Sequence, residues 1–211
     1  MKYPVTRFKS LKIALKELEP FIRNGEHLQT GKPFKRMGGM RSREMLANWL
    51  ACVVINAQSG ANLYFSSDPT GGDGIMCDTS TGETWPTEHV MVPRRSGGQT
   101  ADAEALILDA IEQKRNKGGA AYAAGKTLIV FLDAEAGPWY PNRVARRLPT
   151  PLHFAAVWVV GLHHVEPTGE YVYGATHLDI SSGDAPTVLV RIKRDFDGWE
   201  VIPVQGLGNA A

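Results

Sequence analysis

NLYFSSDPTGGDGIMCDTSTGETWPTEHVMV, residues 62–92, carries three strand-like runs in quick succession: Asn62 to Ser66, Gly74 to Asp78 and Glu83 to Val92. Ser80-Thr81-Gly82 supplies tight-hairpin chemistry between the last two, and Asp68-Pro69-Thr70-Gly71-Gly72-Asp73 is a loop of turn residues before the second. Asp73 opens the second run and Glu88 lies in the middle of the third, so a hairpin brings two carboxylates to one edge of a sheet. A hard cation such as Mg²⁺ needs that arrangement, with waters and room for a phosphate oxygen. Asp78 is a rival to Asp73, since it too can meet Glu88 across a hairpin. Asp68, beside Pro69, reads as a turn residue.

Working outward, a helix is expected from about Ser42 to Ala57, with Ser42 as its cap and Glu44 in the first turn, where the dipole favours an acid. Trp49, Leu50, Val53 and Val54 make it apolar enough for burial on more than one side, and Glu44 can enter the acidic site as a third carboxylate. Downstream, Ala101 to Lys117 reads as a helix closed by Gly118-Gly119, and Thr127 to Leu132 is a continuous apolar run expected of a strand covered on both faces. The order is helix, three strands, helix, strand. Upstream, Leu11, Leu15, Leu18 and Ile22 mark an amphipathic helix interrupted near Pro20, and residues 24–40 read as a basic, glycine-rich loop. Downstream, a short basic helix around Asn142 to Leu148 precedes the run His153 to Leu162, and three further strands end at Val204, with hairpin signals at Pro167-Thr168-Gly169 and Asp197-Gly198. These parts form a basic arm (1–40), a core (41–133) and a strand-rich extension of the same domain (134–211), with no linker or repeat between them.

The 211 residues are 43% hydrophobic and 21% charged, a globular composition without the bias of disorder or fibres. Two cysteines without metal-finger spacing, no signal-peptide stretch after Met1 and no apolar run long enough to cross a bilayer predict a soluble, cytoplasmic protein. The net charge of +1 hides a strongly basic stretch over residues 1–43, which attracts polyanions.

With Gly71-Gly72-Asp73-Gly74-Ile75 opening one strand, Glu88-His89-Val90 in the next and this order of elements, residues 41–133 resemble the PD-(D/E)XK nuclease superfamily. The resemblance implies a restriction-endonuclease-like helix-strand-strand-strand-helix-strand α/β core with a C-terminal antiparallel extension. It also implies metal ligation by Asp73 and Glu88, with Glu44 similar to the helix-borne acid of some members. Such nucleases carry a lysine two positions after the second acid, on the same strand face. Val90 stands there instead, and His89 faces the other side. In some relatives the lysine has moved to the next helix, which makes Lys114 the candidate; helical spacing leaves open whether Gln113 or Lys114 faces the sheet.

Other motifs are weaker. Gly119 to Thr127 looks like a phosphate-binding loop, but five residues separate its glycines where four are needed, and a helix precedes it where a strand should. No Gly-x-Ser-x-Gly elbow occurs. His163-His164 and the pair His177 and Asp179 lack a closed set of metal ligands. Arg143, Arg146 and Arg147 fall at helical spacing on one face, and Arg94 and Arg95 follow the strand that bears Glu88; both groups are candidates for holding phosphates. The expectation is therefore a Mg²⁺- or Mn²⁺-dependent nuclease acting on DNA, with DNA ranked above RNA as the nucleic-acid partner. The alternative is an inactive nuclease-fold module that binds nucleic acid or a protein partner. A homodimer is left open, and no membrane association is expected.

Overall fold

The computed structural model describes residues 8–34, 38–93, 102–133 and 136–204. Arg94 and Arg95 lie outside them.

Eight strands form one mixed sheet in chain order: β1 (Leu63–Ser66), β2 (Gly74–Asp78), β3 (Thr84–Val92), β4 (Thr127–Leu132), β5 (Ala156–Val165), β6 (Tyr171–Leu178), β7 (Thr187–Ile192) and β8 (Trp199–Pro203). β3, β4 and β5 run parallel, and every other neighbour pair is antiparallel. The C-terminal extension is thus not wholly antiparallel, because β5 joins β4 in parallel through a crossover. The helices are α1 (Leu11–Arg23), α2 (Glu26–Thr30), α3 (Ser42–Ser59), α4 (Ala103–Asn116), α5 (Gly119–Ala123) and α6 (Pro141–Ala145). The central order is the expected helix, three strands, helix and strand, with the short α5 added before β4.

Every residue of β2 and β4 is buried, and burial on both faces explains why β4 is a continuous apolar run. One face packs on α1 and α3, with Trp49, Phe65, Ile129 and Val190 in its core; the other packs on α4 and α6, with Ile107, Ile111, Leu128, Val130 and Val144. The sheet curls about α3, which touches both β1 and β8, and Trp49 meets Trp199 edge-on at 5.2 Å between ring centroids. A helix enclosed in this way needs no single apolar stripe, so Trp49 to Val54 are all buried.

Several local expectations are corrected. α1 continues through Pro20 to Arg23, since Asn24 N–H still reaches the Pro20 carbonyl and Ile22 is buried beyond the proline. The basic loop contains α2, ended by Gly31 at φ 65°, a left-handed conformation that glycine adopts without strain. The cap of α3 is Arg41, not Ser42: Glu44 Oε2 accepts the Arg41 backbone N–H at 2.8 Å, while the Ser42 hydroxyl donates to the His27 carbonyl. The basic helix near residue 142 is shorter than expected and ends at Ala145.

Candidate active site

The β2–β3 hairpin forms in a register that pairs Gly74 with Thr87, so Asp73, just ahead of β2, comes opposite Glu88. Asp73 Oδ2 accepts the backbone N–H of His89 at 2.7 Å, which fixes the carboxylate at the sheet edge. Gly74 is required beside it, because a Cβ there would lie 2.6 Å from Asn48 Nδ2 and 2.8 Å from Thr87 Oγ1. Those two buried side chains bond each other at 2.9 Å and tie the hairpin to α3.

Glu88 points to the α4 face and is only 5% exposed. The sheet-facing stripe of α4 runs through the buried Glu104, Ile107 and Ile111, and one further turn brings Lys114 rather than Gln113 over the hairpin. Lys114 Nζ lies 3.2 Å from Glu88 Oε2 and 3.7 Å from Asp73 Oδ2, so one ammonium stands between the two acids.

Two further groups converge on Glu88. Lys126, just before β4, donates to Oε1 at 2.8 Å, and the Tyr122 hydroxyl of α5 donates to Oε2. Lys126 Nζ also sits 4.2 Å from the Tyr122 ring centroid, a cation–π contact. The parallel register pairs Thr87 with Thr127, so Lys126 falls on the same sheet face as Glu88 one strand away. Burial alone would raise the Glu88 carboxyl, but the hydrogen bonds from Lys126 and Tyr122 and the Lys114 charge outweigh it and hold the group down to about 2. Burial and the Glu88 charge push the Tyr122 phenol up, so it is a proton donor at neutral pH. Val90 packs into the apolar layer under α4. The cations that face Glu88 therefore come from α4 and from the start of β4. Lys126 lies inside the glycine-rich stretch Gly119 to Thr127 and carries no local signal of a place at the site.

His89 faces α3, as alternation requires, with its ring buried. Nε2 is 3.5 Å from Asn48 Nδ2, and Nδ1 has no hydrogen-bond partner at 3.9 Å from Asp73 Oδ2. Burial, reinforced by Lys114, lowers the imidazole to about 3, so it is neutral at physiological pH.

Glu44 does not join the pair. Its carboxylate serves the N-terminus of its own helix, and burial raises it, with the Asp73 charge adding to the shift. Among the described residues, no group of three or more His, Cys, Asp or Glu is arranged to hold a metal ion. Asp78 is taken up by the β-turn, accepting Ser80 N–H, and Asp68 caps its loop through Thr70 and Gly72.

No family model matches this chain, and no curated protein does. Among solved structures, the central domain of yeast acetyl-CoA carboxylase is similar over 71% of this chain and 23% of that one, at 12% identity and a TM-score of 0.35. The match thus spans about a quarter of the length of that solved chain, and a likeness so loose carries no argument.

The remaining candidates lie elsewhere. Arg143 and Arg147 both reach the buried Glu104 at the start of α4, at 3.9 and 3.6 Å, whereas Arg146 lies apart from that carboxylate, against Gly183. The three arginines thus do not act as one fork. His163 and His164 bond each other, and His164 bonds Glu166. Asp179 is held by Ser181 and Ser182, and the His177 ring packs on Trp158. No described helix is long and apolar enough to cross a membrane.

Proposed function

We propose that Asp73, Glu88 and Lys114 form the centre of a divalent-metal-dependent nuclease that hydrolyses DNA phosphodiester bonds, in a core of the restriction-endonuclease-like type. The observation that carries this reading is the Lys114 ammonium between two carboxylates of the β2–β3 hairpin, Asp73 just ahead of β2 and Glu88 on β3. A cation already occupies the space between the acids, and two carboxylates completed by water and phosphate oxygens are a sufficient donor set for Mg²⁺ or Mn²⁺. Asp73 and Glu88 would be the two protein ligands. When bound, the metal supplies an activated water and a counter-charge for the phosphoryl oxygens.

The protein's own groups do the rest. Lys114 orients the attacking water and offsets charge on the phosphorane-like transition state, the role that Val90 cannot fill. Tyr122 and Lys126 fix the Glu88 carboxylate from two further directions, so it is placed before substrate arrives. Half-buried Arg43, whose charge acts on Asp73, and Lys117, 5.3 Å from the Tyr122 ring centroid, add positive potential for a polyanion.

One observation favours a second reading, an inactive module of the same architecture that binds nucleic acid or a protein partner: both Glu88 oxygens already have basic or hydroxyl partners. Incubation of the purified protein with plasmid, linear and single-stranded DNA in Mn²⁺ separates the two. Cleavage that EDTA stops and Glu88→Gln removes supports the nuclease. Salt-sensitive binding in a gel shift without cleavage supports the module, and absence of both removes nucleic acid from the account.

A further inference from the structure

β3 presents consecutive residues to opposite faces of the sheet, so Glu88 meets Lys114 of α4 while the His89 ring is buried on the side of α3. Asp73, at the edge between them, is approached from both sides. Lys114 Nζ lies 3.7 Å from Asp73 Oδ2, and His89 Nδ1 lies 3.9 Å from the same oxygen, which also accepts the His89 backbone N–H at 2.7 Å. The His89 side chain is only 4% exposed, and among the described residues Nδ1 has no hydrogen-bond partner. A buried polar atom without a partner costs folding free energy that an apolar ring of the same shape would not. Here that atom is set beside the acid proposed to hold a metal.

The tautomer of the ring is fixed from its other side. Asn48 Nδ2 donates at 2.9 Å to the Glu44 carbonyl, an oxygen that can only accept, and the Thr87 hydroxyl bonds to Asn48 Oδ1 at 2.9 Å. These two contacts leave no choice of which amide atom is the nitrogen. The second N–H of that nitrogen faces His89 Nε2 at 3.5 Å. A ring nitrogen that faces a donor is the acceptor, so the imidazole proton resides on Nδ1, on the side of Asp73. A line of contacts thus runs from α3 through Asn48 and His89 to the hairpin edge.

We infer that His89 is a positioning residue for Asp73: as the Nδ1–H tautomer, its ring orients that carboxylate for metal ligation from the α3 face, opposite Lys114. The inference rests on the proposed role of Asp73 as a metal ligand, but not on cleavage. Carboxylates that ligate metals are themselves held by hydrogen-bond donors, and loss of such a donor weakens metal affinity about 10- to 100-fold. An N–H dipole directs the acid without cancelling the negative charge that attracts a cation, which a second ammonium beside Lys114 would do.

Two measurements test this. Heteronuclear NMR of isotope-labelled histidine in EDTA should show the His89 proton on Nδ1, with a resonance that moves in Asp73→Asn. A proton on Nε2 overturns the inference, whether or not any His89 variant folds. Mn²⁺ binding without DNA, read from loss of the free-ion electron paramagnetic resonance signal, is then compared among wild type, His89→Phe and His89→Asn. Phe keeps the ring and removes the donor, whereas the shorter Asn places an amide N–H near the Nδ1 position. Affinity should fall about 10- to 100-fold in His89→Phe and largely recover in His89→Asn, although Asn leaves a void and should melt at a lower temperature than Phe. A ring that only packs would reverse that order. His89→Phe that binds Mn²⁺ as tightly as wild type overturns the inference and leaves the metal centre standing, and a wild type that binds no Mn²⁺ overturns both. The expected order of affinities without cleavage of DNA supports the inference and removes only the nuclease activity.

Discussion

Lys126 Nζ stands 2.8 Å from Glu88 Oε1, reaching it from the neighbouring parallel strand, while Lys114 approaches the other oxygen from α4. A carboxylate on β3 is thereby matched by an ammonium on each side, although neither lysine lies near it in sequence. Lys126→Met removes one of these partners and leaves Oε1 of a buried acid unsatisfied. The expected cost is about 1–3 kcal/mol in urea unfolding, with Lys126→Arg recovering part of it. Equal stability of Lys126→Met and wild type would contradict the contact.

The pH dependence of stability follows from the same cluster. Glu88 is held down to about 2 from its ordinary 4.5, so its contribution is fully present above about pH 4.5 and disappears as the pH falls toward 2. Wild type should exceed Glu88→Gln by on the order of 2 kcal/mol at pH 7 in metal-free buffer. The gap should close between pH 4.5 and 2 in parallel denaturation curves. A gap that stays constant over that range would mean that the carboxylate charge is not what the two lysines and Tyr122 hold.

Gly74→Ala tests the link between the hairpin and α3. The added methyl would meet Asn48 and Thr87 at under 3 Å, and neither buried side chain can swing away without breaking their mutual hydrogen bond. A loss of about 1–3 kcal/mol is expected, measured by thermal or urea unfolding. Gly71→Ala is not a suitable control, because Gly71 has φ 92° and strains any side chain; Ser80→Ala, in the exposed turn, is.

Glu104→Gln should free Arg143 and Arg147 from their shared acid while keeping an acceptor for the Tyr140 backbone N–H. The substitution makes the patch one charge more positive. If that patch meets phosphates, affinity for single-stranded DNA in EDTA should rise and its salt dependence should steepen by about one unit. Unchanged affinity and slope would show that the arginines serve only the packing of α6 on α4.

How much of this was legible in the chain depended on the range of the interactions involved. The hairpin over residues 74–92 was readable because its signals are local, with Gly82 at φ 74° where the turn needs a left-handed residue and apolar runs on either side. The three strands, the helix that follows and the α3 core were readable for the same reason. Arg41 displaced Ser42 as the cap because the Ser42 hydroxyl bonds to His27, fifteen residues away, a tertiary contact that outweighs capping preference. Lys126 was missed because only the parallel register of β3 and β4 sets it beside Glu88, and nothing in its neighbours Gly125 and Thr127 encodes that register. The choice between Gln113 and Lys114 was likewise open in the sequence. It was decided by how the stripe from Glu104 to Ile111 seats on the sheet.

The most direct measurement is the single-turnover cleavage rate of a DNA substrate by wild type and by Asp73→Asn and Lys114→Met, with folding verified by circular dichroism. Wild type should cleave in Mn²⁺ and not in EDTA, and each folded variant should be slower by about 10²-fold or more. A wild-type protein that leaves DNA intact in Mn²⁺, or cleavage that survives both substitutions, would contradict a nuclease centre at Asp73, Glu88 and Lys114.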